Sequence, residues 1–238
     1  MGISQDSHHK VNPAASEPLA ADAGPQQPMA LNPWLRWVII PGSLVLLGLL
    51  ALNVDMTIAR YFRYGKVPKP ISELLQNSEV FGHAYGVVLL TAAVVAFDPL
   101  RWKRVPWLLA GAYAAGITSN LLKLCFYRIR PRSYDFVSSE LSGTFIGWGP
   151  ILDHPGGSAS FPSGHTATAA GFAMILSRMW PRATSYLILL TILVGCQRIQ
   201  SSAHYPSDTL VGAAVGWWMG SLVLQGMPPQ FDGRLNRS

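Results

Sequence analysis

Three short stretches carry residues that could do chemistry together. They are Lys123, Arg130 and Pro131 in KLCFYRIRP, Ser163, Gly164 and His165 in PSGH, and Arg198, His204 and Asp208 in RIQSSAHYPSD. Lys123, Arg130 and Arg198 are cations with few local anions to pair them, and burying them together is costly unless an anion joins them. A phosphoryl group is the natural partner, because Arg forks match its oxygens and Lys adds a point charge. Ser163, Gly164 and His165 stand where an apolar helix starts, and free N–H groups and the helix dipole favour an anion there. Gly164 admits a close backbone approach, and Pro162 suits the first turn. His204 and Asp208 are four apart, so on a helix they would share a face. The carboxylate could then hold the proton of one ring nitrogen and leave the other free to attack. His165, on a different helix, could protonate a leaving oxygen, since an ordinary imidazole pKa of about 6.5 suits proton transfer near neutrality. The chemistry is phosphoryl transfer. No acidic cluster suited to catalytic Mg²⁺ is visible, so neither a metal nor a cofactor is expected.

Six apolar runs would have to position these groups: 37–54, 80–97, 105–122, 166–176, 183–196 and 209–224. A membrane span needs about 20 apolar residues, with a lower limit of about 17. The first three runs reach about 18, and the last does so with Ser207 or Asp208 included. The fourth and fifth fall short, and they qualify only if their polar ends also lie at membrane depth, facing a protein-lined cavity. The expected fold is all-α, a six-transmembrane-helix bundle over residues 34–226. A disordered polar tail (1–33) precedes it and a short polar tail (227–238) follows. The N-terminal tail lacks apolar periodicity and does not read as a cleavable signal. Its MGISQDS start misses a myristoylation signal, because Asp6 stands where Ser or Thr is needed. The stretch ISELLQ, between the first two runs, reads as a short interfacial helix. The 126–160 connection exceeds the usual length of an unstructured loop and carries Arg128, Arg130, Arg132, Asp135, Glu140, Asp153 and His154. With six spans, all three chemical stretches fall on the face opposite the termini.

Composition agrees with a membrane protein. Half of the 238 residues are hydrophobic and 13% are charged, against about 25% charged in an average soluble domain. The net charge of +6 suits an anionic partner, but the basic residues are scattered between apolar runs, which excludes nucleic acid. Cys125 and Cys196 lie inside apolar runs without metal-ligand spacing. Nine Lys and Arg fall on the terminal side and nine on the site side, or six once Lys123, Arg130 and Arg198 are assigned to phosphate. This balance places the termini in the cytoplasm.

The three stretches resemble the signature of the type 2 phosphatidic acid phosphatase superfamily, which also includes the vanadium haloperoxidases. The resemblance runs from Lys123 to Asp208. It implies a metal-independent membrane phosphatase acting on a lipid phosphomonoester or pyrophosphate. His204 would form a phosphohistidine, Asp208 would orient it and His165 would be the general acid. Lys123, Arg130, Ser163, Gly164 and Arg198 would hold the phosphate. The family often has Ser before the third-motif Arg, where this chain has Gln197. For bacterial relatives the resemblance also implies an inner-membrane protein with its site facing outward.

Other residues have plainer readings. Arg128 and Arg132 read equally well as snorkelling anchors, His83 as a packing residue, and His154 as a loop residue placed to touch substrate. Gly212, Gly216 and Gly220 read as a helix-packing stripe, with a homodimer face as the alternative. Trp217 and Trp218 read as facing lipid. Two rivals remain: a serine intramembrane protease using Ser163 and His204, and a lipid binder or transporter using the cationic pocket without turnover.

Overall fold

The computed structural model describes residues 35–97, 99–136, 141–148 and 159–231. The tails and the loop residues Glu140, Asp153 and His154 lie outside the described residues. Seven α-helices run in chain order among the described residues: α1 (Ile40–Tyr64), α2 (Lys69–Ser78), α3 (Ala84–Phe97), α4 (Val105–Leu122), α5 (Gly164–Met179), α6 (Thr184–Gln200) and α7 (Pro206–Gly226). The six apolar runs map onto α1 and α3–α7, and ISELLQ lies within α2.

Helix α5 is the centre. It packs against α4, α6 and α7, while α1 covers α7. Its Ala167, Ala169, Phe172 and Ile175 are fully buried. Glycines permit this crowding. A Cβ on Gly171 would stand 2.3 Å from the carbonyl oxygen of Gly111 on α4, and one on Gly216 would stand 2.3 Å from that of Ala167. Gly212 and Gly220 also abut α5, at Ser163 and Met174. The α7 stripe is therefore an internal seam. Its glycines are not available to a second copy, which removes the basis for a homodimer on that face.

The outer surfaces are apolar. Leu46, Leu49 and Leu50 on α1, Leu89 on α3, Ile117 and Leu121 on α4, and Ile188 and Ile192 on α6 are all exposed. Exposure on this scale marks a membrane or protein contact, and the chain is an integral membrane protein. Trp218 is half exposed and donates its indole N–H to the Trp37 carbonyl at 2.8 Å, whereas Trp217 is partly buried.

The helix lengths correct the reading of the runs. Among the described residues, two helical stretches are long and apolar enough to cross a membrane alone, Trp37–Tyr64 and Pro181–Gln200. A third counts if Lys69–Gly82 and Ala84–Phe97, bent by 76°, form one span. The fifth run is therefore longer than expected, because a 3-10 turn at Pro181–Ala183 extends α6. The second run gives only 14 helical residues, and the third, α4, carries polar Thr118, Ser119 and Asn120 just before its end at Leu122. Helix α5 has 16 residues, about 24 Å at 1.5 Å per residue, and it meets protein rather than lipid on nearly every side.

The 126–160 connection is not featureless. Phe126–Arg128 (β1) pairs antiparallel with Phe145–Trp148 (β2), and Ile129 bridges to Ala159. This hairpin turns the side chain of Arg128 inward.

Candidate functional site

The three stretches meet at one end of the bundle. Lys123 caps α4 and donates to Asn120 Oδ1 at 3.1 Å. A Cβ on Gly164 would lie 3.6 Å from Lys123 Nζ, so the first two stretches are neighbours. That is ordinary contact distance, and the protein's own packing does not demand glycine here. Burial and then the charge of Arg130 pull the Lys123 ammonium down to about 8. Burial, Arg132 and Arg198 likewise lower Arg130. The Nε atoms of Arg130 and Arg198 are buried without a hydrogen-bond partner among the described residues. Clustered, incompletely satisfied cations of this kind fit an anion.

The start of α5 is built differently from the expectation. Ser163 is the N-cap, and its Oγ accepts from the Thr166 N–H at 3.4 Å and lies 2.9 Å from Thr166 Oγ1. Pro162 therefore precedes the cap and is not in the first turn. The Ser163 N–H donates to the Asp208 carbonyl at 3.0 Å, so this amide is already committed. What Ser163 offers an anion is the helix start it secures, with the N–H groups of Gly164 and His165 lacking intrahelical acceptors.

His204 and Asp208 also meet by a route other than a shared helix face. His204 lies in the turn between α6 and α7, ahead of the Tyr205 N-cap. The turn passes through Ser202 at φ 52°, a left-handed conformation uncommon outside glycine. The N–H groups of Ala203 and His204 both reach back to the Arg198 carbonyl, at 3.2 and 3.1 Å, which ties the spacing of Arg198 and His204 to one turn. Asp208 Oδ2 accepts the Tyr205 N–H at 2.9 Å, a capping contact, and this leaves it 3.6 Å from His204 Nδ1. That contact is longer than a hydrogen bond. His204 is 3% exposed. Burial, aided by Arg130 and Lys123 against the pull of Asp208, lowers its imidazole to about 4. It is neutral at pH 7.

Residues 104–232 match the PAP2 superfamily, more than half of the chain and all three stretches. The chain belongs to the PAP2 superfamily. A lipid A 1-phosphatase of Rhizobium johnstonii is 28% identical over 211 residues, covering 80% of each chain. Two solved structures share the fold. A PAP2-type phosphatidylglycerolphosphate phosphatase from Bacillus subtilis has a TM-score of 0.56 at 20% identity, covering 79% of this chain and 96% of that one. LpxE of Aquifex aeolicus has a TM-score of 0.52 at 22% identity, covering 72% and 95%.

Around the PAP2 motifs stand residues that sequence reading missed. Arg128 is a fully buried bridge, not a snorkelling anchor. Its Nη1 donates to Asp208 Oδ1 at 2.5 Å and to Ser207 Oγ at 2.8 Å, its Nη2 to Asp55 Oδ2 at 2.7 Å, and its Nε to Thr144 Oγ1 at 3.3 Å. Its guanidinium stacks between Tyr205 and Phe145, at 3.9 and 4.6 Å. Asp55 also accepts the Ser207 N–H at 3.0 Å and the Ser207 hydroxyl. An ionisable residue directly abutting the end of the first apolar run is the signal that could have found Asp55. Glu79 was missed as well. Its Oε1 lies 2.9 Å from Arg198 Nη1 and 3.6 Å from His165 Nε2, and its Oε2 accepts from Gln197 at 3.0 Å. The His83 ring stands 5.1 Å from that of His165, so His83 borders the PAP2 site.

Proposed function

We propose that this PAP2 protein is a lipid phosphatase working through a phosphohistidine. The observation that carries the reading is a buried, neutral His204 set among Lys123, Arg130 and Arg198. In this reading Lys123, Arg130, Arg198 and the Gly164 and His165 amides hold the phosphoryl oxygens. His204 keeps its Nδ1 proton toward Asp208 and attacks phosphorus through Nε2. The bond to the leaving oxygen breaks as His165 delivers a proton to it. Water activated by His165 then hydrolyses the phosphohistidine and frees inorganic phosphate. The phosphate charge is countered by side-chain cations and helix amides, so the reaction needs no metal.

The apolar exterior supports a substrate whose tails stay in the bilayer while its headgroup enters the site. Phosphatidic acid, phosphatidylglycerol phosphate, polyprenyl pyrophosphate and lipid A phosphates belong to this class. We place six spans within residues 34–226 in a bacterial inner membrane, with cytoplasmic termini and an outward site. The short α5 crosses because α4, α6 and α7 shield its polar start. The protease rival is disfavoured because Ser163 Oγ is fully buried and engaged with Thr166.

The test is phosphate release from a panel of lipid phosphates by detergent-solubilised protein. Release insensitive to EDTA is expected, and His204→Ala should lower it roughly a thousandfold or more. Full activity in His204→Ala would exclude the mechanism. Lipid binding without release would favour the transporter reading.

A further inference from the structure

Glu79 is a carboxylate placed where a phosphatase would be expected to want only cations. It stands on the short 3-10 turn Glu79–Gly82, between α2 and α3, and this turn is fixed. Phe81 is buried with its ring 5.5 Å from Phe172 of α5. A Cβ on Gly82 would stand 2.6 Å from the His165 carbonyl oxygen and 2.8 Å from Val194 Cγ1, so the turn is pressed against both α5 and α6. The carboxylate is held at both oxygens, by Arg198 at 2.9 Å and by buried Gln197 at 3.0 Å. Gln197 is the position where the chain departs from the family's usual Ser, and that departure supplies the second anchor.

The position of this charge is specific. Glu79 Oε1 lies 3.6 Å from His165 Nε2, the group that protonates the leaving oxygen, so the carboxylate lines the leaving-group side of the pocket. It remains partly open to solvent and therefore to substrate. When a phosphomonoester is cleaved, the departing fragment is a neutral alcohol or sugar, whose hydroxyls can donate to a carboxylate. When a pyrophosphate is cleaved, the departing fragment is itself a phosphate ester, and its negative charge would meet Glu79 at close range. Like charges in a partly desolvated site repel strongly.

Building on the phosphatase reading above, we propose that Glu79 is a specificity-determining residue that selects lipid phosphomonoesters against lipid pyrophosphates.

The test uses the full chain in detergent, with phosphate release measured from a diacylglycerol phosphate and from a polyprenyl pyrophosphate. The wild type should prefer the monoester at least roughly tenfold in kcat/KM. Glu79→Gln should narrow that ratio by about tenfold, equivalent to about 1.4 kcal/mol, by raising turnover of the pyrophosphate. Glu79→Asp keeps the charge and should keep the preference. A wild type that cleaves both substrates equally overturns the assignment, as does an unchanged ratio in a folded Glu79→Gln protein. If Glu79→Gln does not fold, the wild-type ratio and its retention in Glu79→Asp decide the question. If the wild type releases phosphate from neither lipid, absence of release across the whole lipid panel overturns the phosphatase reading and the Glu79 assignment with it, whereas release from another panel monoester makes that lipid the comparison for the pyrophosphate.

Discussion

Arg128 should be the most costly single side chain to lose. Among the described residues it is the one cation paired with both buried carboxylates, Asp55 and Asp208. Removing one member of such a cluster leaves charges unpaired in a dry interior, at a cost of about 3–5 kcal/mol. Arg128→Leu should therefore lower the midpoint of thermal unfolding in detergent sharply. Arg128→Lys keeps the charge but cannot fork to two carboxylates, so it should fold better than Arg128→Leu while still losing turnover through a loosened Asp208. Lys123 sets a second prediction. Its ammonium is held near 8, below its ordinary value, by burial and by Arg130. A lysine is cationic below its pKa, so kcat/KM, which reports the free enzyme, should fall as pH rises through about 8. Lys123→Arg should move that alkaline limb upward. His204, held at about 4, stays neutral through the physiological range and should add no acid limb near pH 7. At this scale the motif residues were legible because their types and spacing are unusual in apolar sequence. Arg128 was ambiguous, because a lone Arg near a span end reads equally well as an anchor.

The elements explain why the site holds together. The glycine seam sets the distance between α5 and α7, and with it the reach from Ser163 to the Asp208 carbonyl. Gly216→Val would drive its Cβ into the Ala167 carbonyl, 2.3 Å away, and should abolish recovery of folded protein by size-exclusion chromatography. Gly42 has open space around its missing Cβ, so Gly42→Ala should be neutral or stabilise by about 0.5–1 kcal/mol. The period-of-four glycines could be read from the sequence, but the helix they face could not, because a small-residue stripe says nothing about its partner. The turn holding His204 was misread for a related reason. A four-residue separation is the same on a helix and in a capped turn, and only the Tyr205 cap distinguishes them.

For the molecule as a whole, Cys125 can report the orientation in the membrane. It is exposed just past the site end of α4, and Cys196 is the other cysteine. In a Cys196→Ser background, a membrane-impermeant maleimide should label Cys125 in intact spheroplasts if the site faces outward. Labelling only after permeabilisation would reverse the assignment.

The sequence by itself determined the membrane character, the approximate places of the helices and the three motifs that meet at the site, because apolar runs and reactive side chains are local properties of the chain. Tertiary structure alone decided which charges pair. Asp55 and Arg128 are 73 positions apart, and Glu79 and Gln197 are 118 apart. Such contacts depend on how helices close around α5, and no local periodicity encodes them. The same packing explains how so short and polar-headed a helix as α5 is tolerated: its neighbours are protein, so the apolar length that lipid would demand is not required of it.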